Sequence, residues 1–180
     1  MLKKKMMTPD LSILFFFIVL LVYLTQHVVH SSIASFESNE SMDITGDYFV
    51  ESVIYVSGLN DTLSLNANIT LQIWLPHTWS DDLIISLYGP DESEVVLSYL
   101  QGGSKDNVFN GTLFTDSAND SVSTYTYSNN VVASPLRPED PLSNFRGKNP
   151  NGQWKLRVID TYPSEDDGTL KSFILNIEGN

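Results

Sequence analysis

From Leu63 to Leu75 the chain alternates without a break. Leu63, Leu65, Ala67, Ile69, Leu71, Ile73 and Leu75 interleave with Ser64, Asn66, Asn68, Thr70, Gln72 and Trp74. A period of two puts one set on a core and the other on water, the pattern of a half-buried strand and not of a helix. At ~3.3 Å per residue this is a long strand, so a bend or bulge within it is expected. Shorter alternations recur at Leu83, Ile85 and Leu87, at Trp154, Leu156 and Val158, and at Phe173, Leu175 and Ile177. Lys155 and Arg157 face outward between the members of the second set. Further strands are expected over Phe49–Ser57, Val95–Tyr99, Val108–Phe114 and Val122–Tyr127. Asn60-Asp61, Gly89-Pro90, Gly102-Gly103, Asn110-Gly111, Asn151-Gly152 and Asp167-Gly168 are turn signals. Nothing after residue 34 has helical periodicity. About eight short strands joined by polar turns predict an all-β, two-sheet β-sandwich of jelly-roll type. The Pro-containing stretch from Ser128 to Pro150 is expected to cross between its sheets.

The N-terminal region has a different character. Lys3, Lys4 and Lys5 precede an uninterrupted apolar run from Ile13 to Leu24. Such a run fits the core of a signal peptide and is shorter than the ~20 residues of a comfortable membrane span. Ser32-Ile33-Ala34 offers small residues at the two positions a signal peptidase reads, which predicts cleavage between Ala34 and Ser35. The alternative is an uncleaved signal anchor over Leu11–Val29 that tethers the protein to a membrane. Residues 1–34 are thus read as signal peptide or anchor, 35–46 as a flexible leader, and 47–180 as the folded domain. The start Met1, followed by this segment, reads as a proper beginning. The protein is expected to be secreted or to reside in the secretory pathway. Five Asn-x-Ser/Thr sequons, at Asn39, Asn60, Asn68, Asn110 and Asn119, become candidate glycan sites if that pathway is eukaryotic.

Composition removes several chemistries. With 22 Asp plus Glu against 10 Lys plus Arg, the chain carries a formal charge of -12, which repels phosphate backbones and argues against nucleic-acid binding. No cysteine is present, so disulfides, thiolate nucleophiles and nearly all structural zinc sites are absent. His77 is the one histidine beyond the signal segment, and neither a Gly-x-Ser-x-Gly elbow nor a His-Glu-x-x-His helix accompanies it. It is expected to hydrogen-bond at a strand end and hold the following turn. No phosphate-cradling glycine loop is present either, since no lysine-bearing helix follows Gly102-Gly103. Ca²⁺ is the one ion the acidic turns suit, although none has EF-hand spacing. Solvated loops that keep the domain soluble are the simpler reading of the same residues.

Trp74, Trp79, Tyr88, Tyr125 and Tyr127 suit either cross-strand packing or a carbohydrate or peptide groove. Trp74 stands out because it falls on the polar register of its strand. Arg137, Arg146, Lys148, Lys155 and Arg157 gather five basic residues in a short stretch of an acidic chain, which suits local charge balance better than docking of an acidic partner.

Several turns together resemble a known family. The stretch from Leu75 to Pro90 contains His77-Thr78 and Asp82-Leu83, and is similar to the opening of the P/Homo B domain of kexin- and furin-type proprotein convertases and of bacterial subtilisin-like proteases. Asp81 and Gly89 stand where that family usually has Gly and Ser. Gly102-Gly103-Ser104-Lys105-Asp106-Asn107 and Phe114-Thr115-Asp116-Ser117-Ala118 resemble its next signatures. Pro141 to Gly147, Asn151 to Asp160, Gly168-Thr169-Leu170 and Phe173 to Ile177 complete the resemblance, with Phe173 at the usual Trp position. It spans residues 48–178.

The resemblance implies a jelly-roll sandwich with no catalytic residue of its own, which packs on a subtilisin-like serine endopeptidase and stabilises it. It implies no required cofactor. Some members bind Ca²⁺ in acidic turns, which makes Asp82, Asp116 and Asp160 candidate ligands. The expected partner is a subtilisin-like protease domain, because the stretch from Asp47 to Asn180 leaves no room for one. The protein itself is then not an enzyme. Two other readings stand beside this one: a free-standing surface adhesin that binds carbohydrate or protein through Trp74 or Trp79, and a truncated product of a P-domain protease gene.

Overall fold

The computed structural model describes residues 33–45, 49–162 and 167–179. The signal segment lies outside them except for Ile33 and Ala34. The described residues belong to one compact unit whose regular elements are strands, joined by long loops. In chain order these are β1 (Ile33–Ser38), β2 (Met42–Ile44), β3 (Phe49–Val56), β4 (Asn68–Leu75), β5 (Leu83–Tyr88), β6 (Glu94–Tyr99), β7 (Phe109–Thr115), β8 (Gly152–Asp160), β9 (Gly168–Leu170) and β10 (Ser172–Glu178). Two short 3₁₀ turns, Ser80–Asp82 and Leu142–Phe145, interrupt the connections.

Eight strands form two four-stranded sheets, in the orders β1-β10-β4-β7 and β3-β8-β5-β6, and β2 pairs with β9 in a small third sheet. All named pairings are antiparallel. The alternation read from the sequence explains the layering. Ile69, Leu71, Ile73 and Leu75 of β4 and Leu83, Ile85 and Leu87 of β5 are all buried, as are Trp154, Leu156, Val158, Phe173, Leu175 and Ile177. Each such side chain contributes about 1.5–3 kcal/mol when fully withdrawn from water. Trp154 fills the centre of one end, edge-on to Phe145 at 4.7 Å, and its indole N–H donates to the Pro150 carbonyl at 2.8 Å. That bond satisfies the one polar atom this large side chain brings into the core.

The structure differs from the sequence expectation in three places. Over its described residues, 35–45, the segment read as a flexible leader is part of the sheets: it supplies most of β1 and all of β2, and β1 pairs along its whole length with β10. A cut between Ala34 and Ser35 would fall inside β1, between the residues facing Ile177 and Asn176. The long alternation does not form one strand. Only Asn68–Leu75 is extended, while Leu63 and Ala67 are buried from a loop that Leu63 ties to Lys148 and Gly147 by backbone bonds. The expected irregularity falls between Ile73 and Trp74, opposite β7. Finally, Val122–Tyr127 is a loop; Val122 is buried, and its carbonyl accepts the Tyr127 hydroxyl at 2.7 Å.

The stretch from Ser128 onward does pass from one sheet edge to the other. Leu136 exchanges backbone bonds with Leu113 and Thr115 on β7, then Glu139 and Asp140 donate to Leu97 and Val96 on β6. Burial pushes the Tyr127 phenol well above its ordinary value, with the nearby charges of Glu139 and Tyr125 adding to the shift. A tyrosine held neutral in this way contributes stability that is complete below about pH 10 and is lost as the unfolded chain ionises above it. Tyr127→Phe is therefore expected to cost about 1 kcal/mol at neutral pH, through the lost bond to Val122. It should also flatten the decline in melting temperature above pH 10, which a pH series of thermal melts would read.

Candidate functional site

Where β4 leaves its sheet, Pro76 and His77 carry the chain over the end of the sandwich toward the facing sheet. His77 is buried, and its ring nitrogens are both engaged. Nδ1 lies 2.9 Å from the Trp79 carbonyl and 3.1 Å from the Trp79 amide, and Nε2 lies 3.2 Å from Oδ2 of Asp160. Asp160 ends β8 in the opposite sheet, and neither side chain has any exposure. Its second oxygen accepts the Tyr162 amide at 2.9 Å. The pair thus clasps β4 of one sheet to β8 of the other. A buried carboxylate is tolerated here because both oxygens have donors.

The neighbours of His77 extend the clasp. Its carbonyl accepts the Asn107 amide at 2.8 Å, and it forms an isolated antiparallel bridge with Gly168 at the start of β9. Glycine is required there by space alone: a Cβ on Gly168 would stand 2.1 Å from Cδ2 of His77. A pocket of about 340 Å³ opens beside this knot, lined by Asp43, Asn107, Asp167 and Thr169 among others. Among the described residues no serine hydroxyl bonds to His77, and the ring has no free nitrogen with which to activate one. The chemistry of the arrangement is mechanical. It holds the turn as the sequence led us to expect, and it adds an inter-sheet tie that sequence reading did not reveal.

The three aspartates considered for calcium do not converge. Asp160 is committed to His77 and Tyr162. Asp82 stands near it, since Thr161 donates to the Asp82 carbonyl at 2.9 Å. Asp116 follows β7 at the other end of the β4–β7 ladder, five residues of β4 away, or ~17 Å. Both of its oxygens cap the 3₁₀ turn of Leu142–Phe145, accepting the amides of Leu142 at 2.7 Å and Ser143 at 2.9 Å. Among the described residues no group of three or more His, Asp or Glu side chains gathers to hold a metal. Of the five sequon asparagines, Asn39, Asn60, Asn68 and Asn119 are exposed and Asn110 is half-buried.

The basic residues are spent on local partners, as charge balance requires. Lys148 meets Asp91, Lys155 meets Glu92, and Arg157 meets Glu51. Arg137 and Arg146 donate to the carbonyls of Ala118 and Ala67. Arg157 is the most embedded: Nε and Nη2 both reach Glu51 Oε2, at 3.0 and 2.8 Å. Its guanidinium lies 4.9 Å from the Phe49 ring and 4.6 Å from the Tyr88 ring. Burial raises the Tyr88 phenol, and its bond to Glu94 raises it further. This row of β3, β8 and β5 side chains gives the outward face of one sheet an aromatic and charge-neutral centre that periodicity alone did not disclose. Of the tryptophans considered for ligand binding, Trp74 is half-buried and Trp79 is 43% exposed.

Nearly every motif residue has a packing or bonding task. Gly102 lets Ser80 approach, since a Cβ there would stand 2.5 Å from that of Ser80. Asn151 bonds the amide and carbonyl of Leu59 at 3.0 and 2.9 Å. Asp116 caps a turn, and Phe145 meets Trp154. The motifs mark a scaffold.

Among curated proteins none matches the chain. Among solved structures, the serine protease of Aeromonas sobria in complex with its chaperone is similar at 17% identity, with a TM-score of 0.47, over 89% of this chain and 29% of that one. The same protease alone gives 17% identity, a TM-score of 0.45 and the same coverage. This chain therefore spans less than a third of the length of those structures. The family model of the proprotein convertase P-domain matches residues 66–177, from the loop before β4 into β10. The chain belongs to the proprotein convertase P-domain family.

Proposed function

We propose that this chain is an exported, non-catalytic accessory module that docks on a subtilisin-like serine protease and stabilises it. The match to the P-domain family over residues 66–177 carries the reading. Two features support it. The buried His77–Asp160 pair is built into the scaffold and offers no reactive group to solvent. The outward face of the β3-β8-β5-β6 sheet presents Phe49, Tyr55 and Tyr99, each at least half exposed, around ion-paired Arg157. Aromatic residues around a neutralised arginine are the composition of protein-binding surfaces. None of the five sequons lies on those four strands, so glycans, where attached, would leave that face clear. The strand orders β1-β10-β4-β7 and β3-β8-β5-β6 support a jelly-roll topology, since between these two sheets the chain changes sheet at every step except β5 to β6.

The test is a pull-down of the tagged full chain from the source's secreted fraction, read by mass spectrometry. Recovery of a subtilisin-like protease whose thermal inactivation slows when the chain is added is the expected result. Recovery of glycoproteins alone would favour the adhesin reading, and a glycan array would then become the deciding measurement.

A further inference from the structure

The two seams of the sandwich are finished differently. On one, residues 136–140 bond to the edges of both β7 and β6, through Leu136, Glu139 and Asp140. On the other, β3 forms the edge of its sheet, and among the described residues no backbone bond joins its outer side. β1 and β2 lie close to it, and the bond that joins β1 to it is between side chains, Ser38 Oγ to Ser52 Oγ at 2.8 Å. β3 has eight residues, Phe-Val-Glu-Ser-Val-Ile-Tyr-Val, and pairs with β8 without a bulge. It carries no proline, no lysine and no kink, the usual devices that stop an edge from recruiting another strand. Its outward row is Phe49, Glu51, Val53 and Tyr55, with Phe49 50% and Tyr55 75% exposed. The one charge in that row is held by Arg157 at 2.8 Å.

We infer that the outer edge of β3 pairs antiparallel with β3 of a second copy of this chain, about a two-fold axis at Ser52. Side-chain alternation restricts such pairing to registers that keep outward residues opposite outward residues. Centred on Ser52, Phe49 faces the partner's Tyr55 at both ends, Glu51 faces the partner's Val53, and Val50 faces the partner's Ile54. Both ends then gain an aromatic cross-strand pair. Sliding the axis to Glu51 sets two carboxylates directly opposite, which is unfavourable. Sliding it to Val53 leaves Phe49 opposite Ser57, at the strand's end. Charge does not oppose the pairing locally: although the chain carries a formal charge of -12, the one carboxylate of this row, Glu51, is paired with Arg157, so the two edges meet without an unpaired charge. This edge is neutral, and the continuous eight-stranded sheet that results is isologous, as a closed dimer requires.

The inference does not depend on the protease partner, and the absence of cysteine makes its test clean. In the full chain, the double variant Phe49→Cys/Tyr55→Cys should oxidise to a covalent species of twice the 20.1 kDa chain mass on a non-reducing gel. Each single variant should give at least tenfold less, because each cysteine then faces the aromatic residue it was meant to meet. Phe49→Glu/Tyr55→Glu places carboxylates opposite one another in the dimer and should shift wild-type sedimentation at ~100 µM from dimer to monomer with an unchanged circular dichroism spectrum. A wild-type chain that sediments as a monomer at that concentration would overturn the inference. So would cross-linking by Glu51→Cys alone in place of the double variant.

Discussion

Gly168→Ala should destabilise the domain at or above the upper end of the ~1–3 kcal/mol typical of overpacked sites. The added methyl would stand 2.1 Å from Cδ2, 3.0 Å from Cγ and 3.2 Å from Nε2 of His77. The ring cannot retreat, because Asp160 holds one nitrogen and the Trp79 backbone holds the other. Moving the glycine instead would break its bridge to His77 and disturb β9 against β2. Urea unfolding would show a lower midpoint at unchanged slope. The decisive control is His77→Ala in the same chain. With the ring gone the collision disappears, so the double variant should be less unstable than the two singles summed, by 1 kcal/mol or more on the scale of contacting residues. Additive effects would mean that the glycine serves some other purpose.

Asp160→Ala should cost about 3 kcal/mol, or about 10 °C in melting temperature for a domain of this size. The substitution leaves Nε2 of His77 facing an empty space with no acceptor, and takes the acceptor from the Tyr162 amide. Both His77 and Asp160 side chains are wholly buried, so water cannot replace the lost partner without opening the end of the sandwich. Asp160→Asn keeps an oxygen for Tyr162 and a polar atom for His77, and should lose roughly half as much. Differential scanning calorimetry separates the two. An alanine variant that melts within a degree or two of wild type would show that the two sheets are held together elsewhere.

The strands that could be read from the sequence are those with both faces defined by their own residues. β4, β5, β8 and β10 alternate cleanly and bury the inward set. β1 could not be read this way. Ile-Ala-Ser-Phe-Glu-Ser has no strong alternation, and it is extended because β10, at the other end of the chain, supplies the ladder. The reverse error came at Leu63–Ala67, where alternation continues but Leu65 is 74% exposed, and the burial of Leu63 is set by the distant Lys148 and Gly147 backbone. The same division runs through the site. That His77 would hold the turn at Trp79 follows from its place after a strand, two residues before the contact. That Asp160 would meet it does not, since the two are 83 residues apart and only the stacking of the sheets joins them.

The position of β10 has a consequence for how the chain is made. It lies between β1 and β4 in its sheet, yet it is the last strand in the sequence. Until residue 178 has left the ribosome, β1 has no strand to pair with, and one edge of β4 and the core beneath it stay wet. Synthesis from the N-terminus therefore delivers no stable partial domain.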